Sequence, residues 1–144
     1  MYLQNINLRF PNPKPILLKI APDLNWSQLD DVLDVIQQTQ LSGIVATNTT
    51  TDRTILKTNV NMVEEIGRGG LSGRPLKEKS TEIVKYISKK TNQQLPIIAV
   101  GGIFNADDAK EKIDAGASLI QVYTGFIYQG PNIAKNICQH FIKR

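Results

Sequence analysis

Pro96-Ile97-Ile98-Ala99-Val100-Gly101-Gly102-Ile103 decides the fold. An apolar run follows the proline, short enough for a strand and too short for a helix. It shows no polar alternation, so it reads as a strand buried on both faces, as in a parallel sheet. Two glycines end it. Asn105, with Asp108 three residues on, then gives a helix start in which the polar side chain caps free N–H groups. Strand, Gly-Gly and helix N-terminus in that order bring backbone N–H groups to where an anion can rest. The same order also describes a plain tight turn, and the rest of the chain has to decide between them.

Working outward, the pattern recurs. Ile16-Leu17-Leu18-Lys19-Ile20 is a strand closed by Ala21-Pro22-Asp23. Lys19 is unusual there, because burying an unpaired ammonium is costly. Alternation puts it with Leu17, opposite Leu18 and Ile20. It either snorkels at a sheet edge or points into a site that supplies negative charge. Ser27 with Asp30 resembles a capping box, and Leu29, Val32, Leu33 and Ile36 follow at helical spacing. Ile44-Val45-Ala46-Thr47 is the second strand and runs into Asn48-Thr49-Thr50-Thr51. Asn48 offers both a donor and an acceptor, which suits an amide or imide ligand edge or a simple Asx turn.

Residues 52–68 have no clean period and exceed a usual βα loop, as a lid or hairpin over a site would. Gly69-Gly70-Leu71-Ser72-Gly73-Arg74-Pro75-Leu76 follows, a loop able to wrap a ligand but lacking the nucleotide P-loop ending and the Rossmann spacing. Ile83, Val84 and Ile87 mark the inward face of the next helix, and Ala106, Ala109 and Ile113 that of the helix after Gly102, which Gly116 stops. Leu119-Ile120-Gln121-Val122-Tyr123 is the fourth strand, with Thr124-Gly125 at its end. Ile133, Ile137 and Phe141 share a face of the last helix.

Four βα units imply a parallel sheet with right-handed crossovers. Either half of a (β/α)₈ barrel or an open doubly wound sheet fits. A whole barrel takes about 250 residues, and the loops after its last two strands often hold phosphate. Residues 1–15, polar and rich in Asn and Pro, read as a lead-in or linker, with the four units occupying 16–144.

Composition bounds the function. The chain has 144 residues, 41% hydrophobic and 21% charged, as in a globular domain with one core. Its net charge of +4 is scattered, so a nucleic-acid surface is not expected, while an anionic small ligand suits it. One cysteine, Cys138, excludes an internal disulfide and reads as core filler in the last helix. The single His140 reads as structural or solvated, and the two cannot assemble a metal site.

Five blocks carry a family resemblance: Lys19-Ile20-Ala21-Pro22-Asp23-Leu24, Ala46-Thr47-Asn48-Thr49-Thr50, the 69–76 loop, Val100-Gly101-Gly102-Ile103 and Tyr123-Thr124-Gly125-Phe126. In order and spacing they resemble the class 2, quinone-reducing dihydroorotate dehydrogenases, from about Lys14 onward. The resemblance implies an α/β fold, a parallel (β/α)4 half of a TIM-type (β/α)8 barrel. It implies FMN as cofactor, and oxidation of dihydroorotate to orotate in pyrimidine biosynthesis with quinone as acceptor. By resemblance Lys19, Thr47, Gly73, Gly102, Tyr123 and Thr124 contact FMN, with Lys19 beside the flavin ring and the last three at the phosphate. Asn48 and Thr49 hydrogen-bond the pyrimidine.

The family's serine base belongs to the first half of the barrel. None of Ser27, Ser42, Ser72, Ser80, Ser88 or Ser118 stands in its motif. The chain therefore reads as a C-terminal half, inactive alone. The whole enzyme is expected at the inner membrane, and this half is expected to be soluble and cytoplasmic. A stand-alone phosphate- or nucleotide-binding module is the alternative. Cutting a barrel exposes two strand edges and an inner face, so self-association is expected.

Overall fold

A computed structural model describes residues 2–142. Strands β1 (Leu17–Ile20), β2 (Gly43–Ala46), β3 (Ile97–Val100) and β4 (Leu119–Gln121) form one parallel sheet in the order β1-β2-β3-β4. Each strand thus lies beside its sequence neighbour. A doubly wound sheet reverses direction at a switch point, and this sheet does not. Successive right-handed crossovers in one direction put the crossover helices on the same side, as in a barrel wall. The open doubly wound alternative is overturned by this order.

Helices α2 (Trp26–Thr39) and α4 (Lys77–Lys90) cover that side together with α5 (Ala106–Asp114). Ile20, Ile44, Ala46, Ile97 and Ala99 point toward them and are buried with Leu29, Ile36, Ile83, Val84 and Ile87. A second cluster joins Ile103 and Ala109 to Ile133 and Ile137 of α7 (Asn132–Ile142).

The other face of the sheet is open. Register aligns Lys19, Val45, Ile98 and Leu119 across the four strands. Val45 and Ile98 are only half-buried, and Leu119 is 61% exposed. The expectation that β3 is buried on both faces is corrected here. Its side chains are apolar throughout, and Ile97, Ala99 and Val100 are buried, but Ile98 is only half-buried, because the face it shares with Val45 and Leu119 carries no helix layer among the described residues.

Other expectations need local correction. The lead-in is not wholly linker: α1 (Tyr2–Asn7) is helical, and Gln4 Nε2 donates 2.8 Å to the Gln40 carbonyl at the end of α2. The capping box of α2 is built by Asn25 and Gln28, not Ser27 and Asp30; Asn25 Oδ1 accepts from Gln28 N at 2.9 Å and Gln28 Oε1 from Asn25 N at 3.0 Å. Cys138 is exposed on α7 instead of filling the core. For α5 the expected cap holds, with Asn105 Oδ1 accepting from Asp108 N at 2.8 Å.

Candidate functional site

At the C-terminal ends of the strands lies a cavity of about 280 Å³. All eight residues singled out in the sequence line it: Lys19, Thr47, Asn48, Thr49, Gly73, Gly102, Tyr123 and Thr124. Each arrives from a strand end or the loop that follows, so the parallel sheet itself does the gathering.

Lys19 projects from the open face of β1, and no carboxylate pairs with it among the described residues. Thr47 follows β2 directly, across a cis peptide bond from Ala46. It is 2% exposed, and its Oγ1 is buried without a hydrogen-bond partner. A buried hydroxyl left unpaired costs about 1–3 kcal/mol, so such an atom in a cavity wall points to a missing partner. Asn48 Oδ1 accepts from Thr49 N at 2.9 Å, a bond to the next residue and not the i to i+2 bond of an Asx turn. That leaves its amide NH₂ for the cavity.

The rim between the second and third units is a closed excursion. Thr50 and Leu71 form an antiparallel bridge, N to O at 3.0 and 2.8 Å, that pinches the neck of 51–70. Within it α3 (Val60–Ile66) is exposed. Asp23, after β1, ties this neck to the first loop: its carboxylate accepts from Thr50 Oγ1, and from Thr51 N at 2.9 Å. Burial pushes its pKa up, but those hydrogen bonds outweigh burial and hold it below the usual carboxylate range.

Two glycines set the cavity floor. Gly73 has φ +84°, and a Cβ there would meet Thr124 Cγ2 at 3.1 Å. Gly102 has φ +71° and lies directly on the first residue of α4. Among the described residues no backbone carbonyl accepts from the N–H of Gly101 or Gly102. Helix α6 (Thr124–Gln129) opens at the same wall; Phe126 N donates to the Tyr123 carbonyl at 3.0 Å, while among the described residues no backbone carbonyl accepts from the N–H of Thr124 or Gly125. Thr124 Oγ1 donates to Ser72 Oγ at 2.9 Å, which ties the loop before α4 to the start of α6.

The sequence reading gave no ligand role to Val100 or Gln121, which also line the cavity. Gln121 shares the open face with Lys19 by strand alternation, a signal present in the sequence once the inner face is known. Among the described residues the wall offers the unpaired Lys19 cation, the orphan Thr47 hydroxyl, the amides of Asn48 and Gln121 and a set of main-chain donors. It can bind an anionic ligand through donated hydrogen bonds.

A family model described as "Dihydroorotate dehydrogenase" matches residues 4–144. The chain is 51% identical over 143 residues to the "Dihydroorotate dehydrogenase (quinone)" of Christiangramia forsetii, covering 99% of this chain and 41% of that relative. It is 51% identical over 137 residues to the protein of the same name from Trichodesmium erythraeum, 91% of this chain and 36% of the relative. Two solved structures from Eimeria tenella resemble it. The ligand-free DHODH does so with a TM-score of 0.80 at 41% identity, over 91% of this chain and 35% of that one. The DHODH in complex with ferulenol gives 0.82 at 40% identity, over 94% and 35%. The chain spans about two fifths of the length of the curated relatives it matches.

Proposed function

This chain belongs to the dihydroorotate dehydrogenase family, and we propose that its cavity is the C-terminal, FMN- and orotate-binding part of a quinone-dependent dihydroorotate dehydrogenase. The observation that carries this is convergence: residues from all four strand ends meet at one rim, and the buried Thr47 Oγ1 there lacks a partner.

The wall suits FMN. Main-chain N–H groups around Gly102 and Thr124 would hold the phosphate, with Tyr123 at the same end. Thr47, with its orphan hydroxyl, and Gly73 flank the remainder. Lys19 would lie by the flavin ring, where its charge favours the electron-rich reduced form. Asn48 and Thr49 would donate to and accept from the pyrimidine edge. When bound, FMN supplies the hydride acceptor for oxidising dihydroorotate, with quinone as the final acceptor. The chain's residues bind and orient; we assign the catalytic base to none of them, so the isolated chain is expected to bind without turning over. Association with a membrane is proposed only for a whole enzyme that delivers electrons to quinone. No helix among the described residues is long and apolar enough to cross a bilayer.

Titration of the chain with FMN tests the proposal. Flavin fluorescence should be quenched saturably, and the quenching should weaken in Lys19→Met. Absence of saturable quenching in a folded chain would remove the reading. Turnover of dihydroorotate by the isolated chain would contradict the placement of the base.

The edges support one further part of the proposal. Among the described residues β1 and β4 each pair on one side only, and both belong to a parallel sheet. A second copy related by a two-fold axis places β4 of one beside β1 of the other at both seams and covers Val45, Ile98 and Leu119. Light scattering should give a dimer mass, and a monomer at high concentration would exclude it.

A further inference from the structure

Behind the glycine loop, outside the cavity wall, lies a charged cluster that binding does not use. Lys112 of α5 has no solvent exposure. Its Nζ donates to the Lys77 carbonyl at 2.7 Å and to Thr81 Oγ1 at 2.6 Å, both in α4. Lys77 Nζ in turn pairs with Asp108 Oδ1 at 2.6 Å and Glu111 Oε2 at 2.9 Å on α5. Thr81 Oγ1 lies 3.1 Å from Glu111 Oε1. The other oxygen of Asp108 accepts from Phe104 N at 2.9 Å. Burial draws the Lys112 pKa down to about 8, opposed by the charges of Glu111 and Asp108.

Apolar side chains would join two helices with less desolvation, so the placement of an ammonium here needs a reason. The geometry supplies one. Gly102 rests on Lys77, the residue whose carbonyl Lys112 holds, and Phe104 lies two residues beyond Gly102. Ser80, one turn along α4, donates 2.8 Å to the Val100 carbonyl just before the glycines. The cluster therefore grips the Val100–Phe104 loop from beneath and from its far end. Hydrogen bonds fix the azimuth of a carbonyl, which packing alone does not.

We infer that Lys112 is a positioning residue: through the Lys77 main chain, and with Asp108 on the Phe104 amide, it sets where the Gly101 and Gly102 N–H groups stand at the anion end of the cavity. The choice of FMN as ligand rests on the function proposed above; the mechanics of the loop do not.

Lys112→Met in the full chain tests it, read by amide exchange and FMN titration. The Phe104 amide should exchange at least tenfold faster while amides of α2 keep their rates, and FMN should bind about tenfold more weakly. A uniform acceleration at all amides, an unchanged Phe104 rate, or unchanged FMN affinity beside a faster Phe104 would each overturn the inference. If the unaltered chain binds no FMN, the functional reading fails by itself and the Phe104 exchange still decides the loop. If Lys112→Met does not fold, Thr81→Val removes one of the two acceptors, and the same amides decide in the same way.

Discussion

Gly102 stands so close to Lys77 that a Cβ on it would lie 2.4 Å from the Lys77 Cα. The contact is with main chain, which has no rotamer to move aside. The left-handed φ of +71° adds strain for any other residue. Gly102→Ala should therefore cost about 3 kcal/mol in urea unfolding, as an overpacked, strained position does. Flavin quenching should fall with it. A loss below about 1 kcal/mol would show that the loop rides freely on α4.

Thr47 gives the opposite sign. Its buried Oγ1 has no partner in the unliganded chain, so Thr47→Val should raise stability by about 1 kcal/mol. The same change should weaken FMN by about tenfold, because the hydroxyl's partner is then the ligand. Urea midpoints and flavin titration separate the two effects. A destabilised Thr47→Val would mean that the hydroxyl is satisfied within the chain.

Lys19 is exposed and unpaired among the described residues, so Lys19→Met should leave the unfolding midpoint unchanged. Its effect belongs to the bound flavin. Reduced FMN should lose more affinity than oxidised FMN, and the bound flavin's potential should fall. Equal weakening of both forms would remove Lys19 from beside the ring.

Lys112 makes stability depend on alkaline pH. Its pKa in the folded chain is lowered to about 8 from an ordinary 10.5, so between these values the unfolded chain binds more protons. Stability from this group therefore rises with pH across that window, by up to about 3 kcal/mol. Unfolding of the unaltered chain and of Lys112→Met, compared from pH 7.5 to 10, should show the rise only in the former. Parallel curves would mean that Lys112 titrates normally.

Asp23 acts at the acid end. Hydrogen bonds from Thr50 and Thr51 outweigh burial and lower its pKa, so the stability it contributes is present above the ordinary carboxylate range. It is lost as pH falls through the depressed value. Asp23→Asn should flatten that part of the acid unfolding curve and speed exchange at the Thr51 amide, which Asp23 Oδ2 accepts.

Much of this was legible locally. The four apolar runs, the Asn105 cap and the small residues after each strand end are statements about neighbours in sequence, and the α/β order follows from them. The α2 cap shows where local reading stops: Ser27-Asp30 and Asn25-Gln28 both satisfy a capping pattern, and the structure builds the box on Asn25 and Gln28. Cys138 on α7 is similar, since helical spacing does not say which side meets the sheet.

The sequence by itself determined which residues end each strand, because strand length and glycine placement are local properties. Tertiary structure alone decided that those ends share one rim and that Val45 and Ile98 face an open interior. It alone brought Lys112 of α5 onto the Lys77 carbonyl of α4, the residue on which Gly102 rests. Sheet order and helix side arise from the direction of crossovers, a long-range choice that no single segment encodes.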